Sequence, residues 1–345
     1  MRRKIPFVAA SLLALAVAFV TCGGGKKNSG DATGGKTVFV AGQSNNRATL
    51  WKNSAAQQLS GTEYQGYAAS VFVSGDDVYA AGCEFPASEY PNPSTVFPVL
   101  WKNGDRQRLS TTGNYSWAKS IFVSGTDVYV AGRDGSGDDR EAEGYYRRAV
   151  LWKNGTPQQL NGASDDSYAL SVFVSDGDVY VAGFDNGLAA LWKNGARQQL
   201  GTIGIWSEAL SVFVSGGDVY VAGAFDKEDD PNGGAVLWKN GTPQELSHTV
   251  GQAYAHAVYV SGNDVYVTGC DNQKAVLWKN GNRQQLSSTA DYTYAHAVYV
   301  SGGDVYVTGY EWNYPDDNES AVIWKNGTRQ QLSGKNSDAY SVFVK

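Results

Sequence analysis

The chain has 345 residues, 41 glycines, 21 tyrosines and 10 tryptophans, with 18% charged residues and a formal net charge of -6. This length and aromatic content exclude a disordered chain. The body carries no run of lysines or arginines, which excludes a phosphate-tracking surface and, with it, nucleic acid as a partner.

Taken in chain order, Arg2, Arg3 and Lys4 precede an apolar run from Ile5 to Val20 that ends at Thr21-Cys22. Charge, then apolar residues, then small residues is the pattern of an export signal. The cysteine directly after the run resembles the lipobox of bacterial lipoproteins, with Phe19, Val20 and Thr21 where those proteins usually carry leucine and small residues. The resemblance implies a signal at 1–21, acylation of Cys22, and a membrane connection through lipid alone. Gly23, rather than aspartate, implies sorting to the outer membrane, facing either the periplasm or the outside. Glycine and small polar residues make 22–36 a flexible tether.

From residue 37 the sequence repeats itself. The W-K-N motif recurs at Trp51, Trp101, Trp152, Trp192, Trp238, Trp278 and Trp324, at intervals of 40 to 51 residues. A period of this size marks a solenoid or a propeller. Each unit predicts four short strands: "SVFVSG" and "DVYAAG" at 70–75 and 77–82, then "VLWKNG", then a run such as "RQRL". The first two are apolar on both faces, which suits a sheet sandwiched between other sheets. Asn-Gly pairs such as Asn103-Gly104 predict tight hairpins between the third and fourth strands. Asp77 and its counterparts at 127, 178, 218, 264 and 304 are expected to cap turn amides.

The body begins with a second strand, "TVFVAG" at 37–42, and ends with a lone first strand, "SVFVK" at 341–345. One blade is therefore assembled from both ends, so residues 37–345 predict an all-β, seven-bladed β-propeller closed on itself and expected to be a monomer. In that frame the repeated tryptophan is scaffold, packed between neighbouring blades. The "DVYVAG … AVLWKNG … QQL" unit resembles the repeats of a group of bacterial lipoproteins, mostly hypothetical proteins. It lacks the signatures of WD40, kelch and Asp-box repeats. The resemblance implies fold and address and contributes no ligand. Cys83 and Cys270 follow the same repeat glycine in non-adjacent units, so no disulfide is expected between them.

Function is sought where the repeats differ. From second-strand valine to tryptophan the spacing runs 13, 23, 24, 13, 19, 13 and 19 residues, whereas the first hairpin never changes length. Insertions therefore gather on one face, shared with the blade-to-blade crossovers, and that is the expected binding face. Its rings include Trp206, Trp312 and Tyr146, which fall off the repeat template, with Tyr145, Tyr314 and Trp117 beside them. Tyr67, Tyr168, Tyr254 and Tyr294 share one repeat position and are read as packing residues. Aromatic rings among carboxylates and amides suit a surface glycan or a protein partner.

No catalytic set, cofactor or metal is expected. His256 and His296 share a repeat position, but the other units place Ala69, Lys119, Leu170, Leu210 and Tyr340 there, which completes no ligand set. The acidic pairs Asp138-Asp139, Asp229-Asp230 and Asp316-Asp317 leave glycan cleavage by loop carboxylates as the alternative function.

Overall fold

The computed structural model describes residues 35–136, 146–160, 162–228, 230–247, 252–314 and 318–345. The signal, Cys22, Tyr145 and the acids at 138, 139, 229, 316 and 317 lie outside the described residues. The described chain forms seven antiparallel sheets of four strands, a seven-bladed β-propeller, with one short 3-10 turn at Ala87–Glu89. Blade 1 takes its inner strand from the C-terminus: Ser337–Val344 pairs with Val38–Ser44, which continues into Arg47–Lys52 and Ala55–Gln58. The Thr37 amide donates to the Lys345 carbonyl (2.8 Å) and the Lys345 amide returns the bond to Thr37 (2.9 Å). Blades 2 to 7 follow in chain order, with inner strands Tyr64–Ser74, Trp117–Ser124, Ser167–Ser175, Trp206–Ser215, Ala253–Ser261 and Tyr292–Ser301.

The W-K-N motif is a blade clamp. All seven of its tryptophans are buried, and the indole nitrogens of Trp152, Trp238 and Trp324 donate to Ser110, Gly201 and Ser287 carbonyls of the preceding blade. The asparagine stands in the left-handed region, as at Asn103 (φ 54°) followed by Gly104 (φ 89°), which is the hairpin geometry its sequence calls for. Its side chain reaches back across the sheet: Asn103 Oδ1 accepts the Val78 amide (2.8 Å) and Nδ2 donates to Asp77 Oδ1 (2.8 Å). The expectation that Asp77 and its counterparts cap turn amides is thus replaced. Each accepts from the motif's own asparagine and pairs with its lysine, as Lys102 does with Asp77 (2.8 Å) and Lys239 with Asp218 (2.8 Å). The ammonium is the stronger donor, and strand pairing sets Lys102 opposite Tyr79, two residues from the carboxylate and within its reach.

Two rings of contacts join the inner strands around the axis. Phe72, Phe122, Phe173, Phe213, Tyr259, Tyr299 and Phe343 touch in sequence and close on themselves, with centroid separations of 4.7 to 5.5 Å. Beside them, the hydroxyls of Ser341, Ser70, Ser120, Ser171 and Ser211 each accept a backbone amide of the next blade's inner strand at 3.1 to 3.2 Å.

Trp238→Ala is expected to lower stability by about 3–5 kcal/mol, because it opens a buried cavity and removes a tie between blades. Asp218→Asn keeps the shape of a solvent-exposed acceptor and is expected to leave the midpoint near the parent's. Denaturant unfolding of the two variants checks both outcomes.

Candidate functional site

Every inner strand carries a β-bulge at the same place. Pairing with the second strand slips between Ala68 and Ser70, Ala118 and Ser120, Ala169 and Ser171, Ala209 and Ser211, Ala255 and Ala257, and Ala295 and Ala297, and blade 1 slips likewise around Tyr340. The extra residue is unpaired, and the bulge shifts the facing of every residue before it. The bulged residues are Ala69, Lys119, Leu170, Leu210, His256, His296 and Tyr340, all buried. Their contacts run from blade to blade, Leu170 on Leu210, His256 on His296 (5.3 Å), His296 on Tyr340 (5.6 Å) and Tyr340 on Ala69. They floor the central channel.

Two residues earlier on each strand, toward the face that carries the variable connections, stand Tyr67, Trp117, Tyr168, Glu208, Tyr254, Tyr294 and Asp338. All but Asp338 are half-buried, so this layer forms the mouth. The four tyrosines read from the sequence as packing residues belong to it. Behind it on the second strand lies the residue that follows the repeat glycine: Cys83 opposite Tyr67, Arg133 opposite Trp117, Phe184 opposite Tyr168, Cys270 opposite Tyr254 and Tyr310 opposite Tyr294. Both cysteines are free and buried, and burial pushes their thiols up, to about 11 for Cys83 and about 12 for Cys270.

Charge divides the mouth. On the side of blades 2 to 4, Lys119 Nζ donates to the Tyr67 hydroxyl (2.9 Å) and lies 4.6 Å from the centre of the Trp117 ring. Arg133 donates to the Tyr168 hydroxyl (2.8 Å) and lies 5.0 Å from the rings of both Trp117 and Tyr168. Arg147 approaches Tyr168 as closely (5.0 Å) and pairs with Asp166 (3.1 Å). Facing them, Glu208 is pushed up to about 7 by burial, the Lys119 charge offsetting only part of it. Arg133 was missed in the sequence, although its signal was present: it occupies the same post-glycine position that Cys83 and Cys270 do.

The histidines act as ties. Blades 6 and 7 carry Ala257 and Ala297 where the other inner strands carry the linking serine. His256 Nδ1 instead donates to the Ala295 carbonyl of blade 7 (2.9 Å), which fixes the neutral tautomer, and His296 Nε2 meets Asp338 Oδ2 of blade 1 at 3.3 Å. Burial, with His296 adding to it, lowers His256 to about 3. No group of three or more metal-ligating side chains occurs among the described residues.

The sequence-derived candidates fall in three places. Trp117 and Tyr146 belong to blade 3, Trp206 to blade 5, and Trp312 and Tyr314 to blade 7. Trp117 and Trp206 begin inner strands rather than lying in crossovers. Trp206 sits one layer above Glu208, its ring 6.2 Å from Phe184 of blade 4. Trp312 is not in a loop: the second and third strands of blade 7 run on as a hairpin, pairing Trp312 with Tyr292 (4.8 Å between rings) and with Glu319. The insertion of blade 5 is likewise a strand extension, with Phe225 opposite Gly234 and Lys227 opposite Asp230. Extending two existing strands satisfies backbone groups that an irregular loop would leave to water. Tyr314 caps the blade 7 hairpin, 74% exposed and 6.3 Å from Trp312. Tyr146 faces outward, with its hydroxyl at Thr112 (3.2 Å) and its ring beneath Arg148 (4.8 Å).

No protein-family model and no curated protein matches the chain. Among solved structures it is similar to the computationally designed Ika8 protein, at 19% identity over 97% of this chain and 91% of that one, with a TM-score of 0.48. It is also similar to YjhT, at 10% identity over 76% of this chain and 95% of that one, with a TM-score of 0.40. The β-propeller itself is compatible with a binding module.

His256 and Glu208 bias stability in opposite directions with pH. The folded pKa of His256 lies below its unfolded value, so between the two the unfolded state binds more protons, and stability falls as pH drops below about 6.5. Leucine fills the same bulge position in blades 4 and 5, so His256→Leu is expected to fold. Relative to the parent it should gain about 2 kcal/mol between about pH 7 and about pH 5 in denaturant titrations. Glu208 has the reverse sign: its raised pKa costs stability as pH rises from about 4.5 to about 7, so Glu208→Gln should gain over that interval.

Proposed function

We propose that the protein is a binding module of the cell envelope, tethered through an acylated Cys22, that takes a glycan ring at the channel mouth on the face of the variable connections. The observation that carries this reading is a contrast within one chain. The clamp and the aromatic annulus repeat almost unchanged around the axis, while the bulge position changes among alanine, lysine, leucine, histidine and tyrosine, and the mouth layer sets Trp117, Glu208 and Asp338 among four tyrosines. A scaffold alone has no need of that asymmetry. The mouth presents half-buried aromatic faces, cations on one side and a carboxylate on the other, a combination that stacks on a sugar ring and hydrogen-bonds its hydroxyls.

A protein partner is the second reading, favoured by the exposed Tyr314 and Ile205 on the rim. Glycan cleavage draws less support. Among the described carboxylates behind the mouth, Glu84, Asp185, Asp271 and Glu311 are each held by an arginine of the outer strand, Arg106, Arg197, Arg283 and Arg329. Carboxylates whose oxygens are taken by an arginine are not free to reach a substrate.

A glycan array probed with the protein freed of its anchor tests the first reading. A signal is expected that falls at least about tenfold in the Trp206→Ala, Trp312→Ala double variant while thermal unfolding is unchanged. Silence from folded wild type would overturn it in favour of a protein ligand, to be sought by cross-linking at Tyr314. For the anchor, Cys22→Ser is expected to abolish incorporation of labelled palmitate and to move the protein out of the membrane fraction.

A further inference from the structure

Lys119 is out of place as a packing residue. It occupies the bulge position that leucine fills at Leu170 and Leu210 and alanine at Ala69, so the fold accepts an apolar side chain there without complaint. Lys119 is only 7% exposed, and among the described residues no carboxylate lies within ion-pair distance of it. Among the described residues its single hydrogen-bond partner is the Tyr67 hydroxyl, and an ammonium has three donors. A buried cation with two donors unspent costs stability that leucine would not.

Its direction is equally telling. The stem rises from the channel floor, and the amine lies between Tyr67 (5.2 Å to the ring centre) and Trp117 (4.6 Å), both in the mouth layer. Arg133, behind Trp117, adds a second cation whose charge repels the first. Two like charges drawn together in an aromatic recess create a positive potential directed at whatever enters from the loop-bearing face.

We infer that the mouth selects an anionic ligand, a carboxylate or phosphate carried on a sugar-sized ring, with Lys119 as its ammonium contact. This rests on the proposed placement of the binding site at the mouth. The ring stacks on the half-buried aromatics and the anion takes the donors that Tyr67 leaves free. Burial holds the Lys119 amine down to about 8, so it is charged below that pH and neutral above. The other titratable groups that face it are Cys83 and Tyr67, both raised, and Glu208 near 7. As pH falls toward 6 Glu208 loses its charge, so both changes favour anion binding on the acid side.

The test is calorimetric titration of the full-length protein in detergent with glucuronate, with the methyl ester of glucuronic acid, and with glucose 6-phosphate. The ester removes the charge of glucuronate and adds one methyl group, and the phosphate arm separates the two anion sources. At about pH 7, one or both anions should bind at least about tenfold more tightly than the ester. That preference should vanish in Lys119→Leu, persist in Lys119→Arg, and weaken at about pH 9. Lys119→Leu should unfold at or above the parent's temperature, which separates a lost contact from a lost fold. If the ester binds as well as the acid and Lys119→Leu changes neither, the inference is overturned while the mouth stands as the binding site. If none of the three binds, the inference falls, and the glycan array decides the site independently.

Discussion

A ring of wedges holds only if its last wedge meets its first, and everything else in this molecule is arranged around that constraint. Seven inner strands must sit at equal spacing about one axis, so whatever they present to each other must be repeated in all seven. The closed circle of Phe72, Phe122, Phe173, Phe213, Tyr259, Tyr299 and Phe343 meets that demand with rings of similar size, each in contact with both neighbours. Pairing of Ser337–Val344 with Val38–Ser44 turns the closing contact into part of a sheet. An open array would need capping units at its ends, whereas here the two terminal strands pair with each other.

The bulge separates the part of each inner strand bound by that constraint from the part free of it. After the bulge, side chains pack blade on blade and vary little. Before it, they surround the channel, and the chain has placed Tyr67, Trp117, Tyr168, Glu208, Tyr254, Tyr294 and Asp338 at equivalent positions. Where the variation reaches into the bulge itself, it carries a compensation. Blades 6 and 7 exchange the linking serine for alanine, and His256 restores the bond between blades through the Ala295 carbonyl. Blade 3 keeps its linking serine, Ser120, so the Lys119 bond to Tyr67 of blade 2 replaces no lost tie, and a buried ammonium there points to a ligand rather than to the fold.

Period, hairpins and hybrid blade were legible in the sequence because each depends on residues within one unit: a tryptophan every 40 to 51 residues, Asn-Gly in the left-handed region, and a body that starts on a second strand. What depends on pairing between strands was not. The partner of Asp77 is Lys102, 25 residues on, and only the register shows that they meet. Counting from Trp to Trp cannot reveal that an inserted residue turns Tyr67 and Trp117 toward the axis, so the repeating tyrosines read as packing and the departures from the template, Trp312 and Tyr314, read as loop. Trp117 alone was chosen as a candidate from the layer that forms the mouth. The post-glycine position was noticed for its cysteines, and the same column held Arg133.

The point where the chain enters the propeller and the mouth lie on opposite faces. Lys36, where the tether joins the propeller, donates to the Ser301 carbonyl (2.6 Å) and pairs with Asp304 (2.8 Å), both at the tight hairpin of blade 7. The C-terminal Lys345 lies at the corresponding hairpin of blade 2, bonded to the Gly75 carbonyl (2.7 Å). In an antiparallel blade the first hairpin and the connection between second and third strands leave opposite ends, so the tether departs from the face opposite the mouth. If Cys22 is acylated as proposed, the hairpin face is the one drawn toward the membrane and the variable face looks away from it.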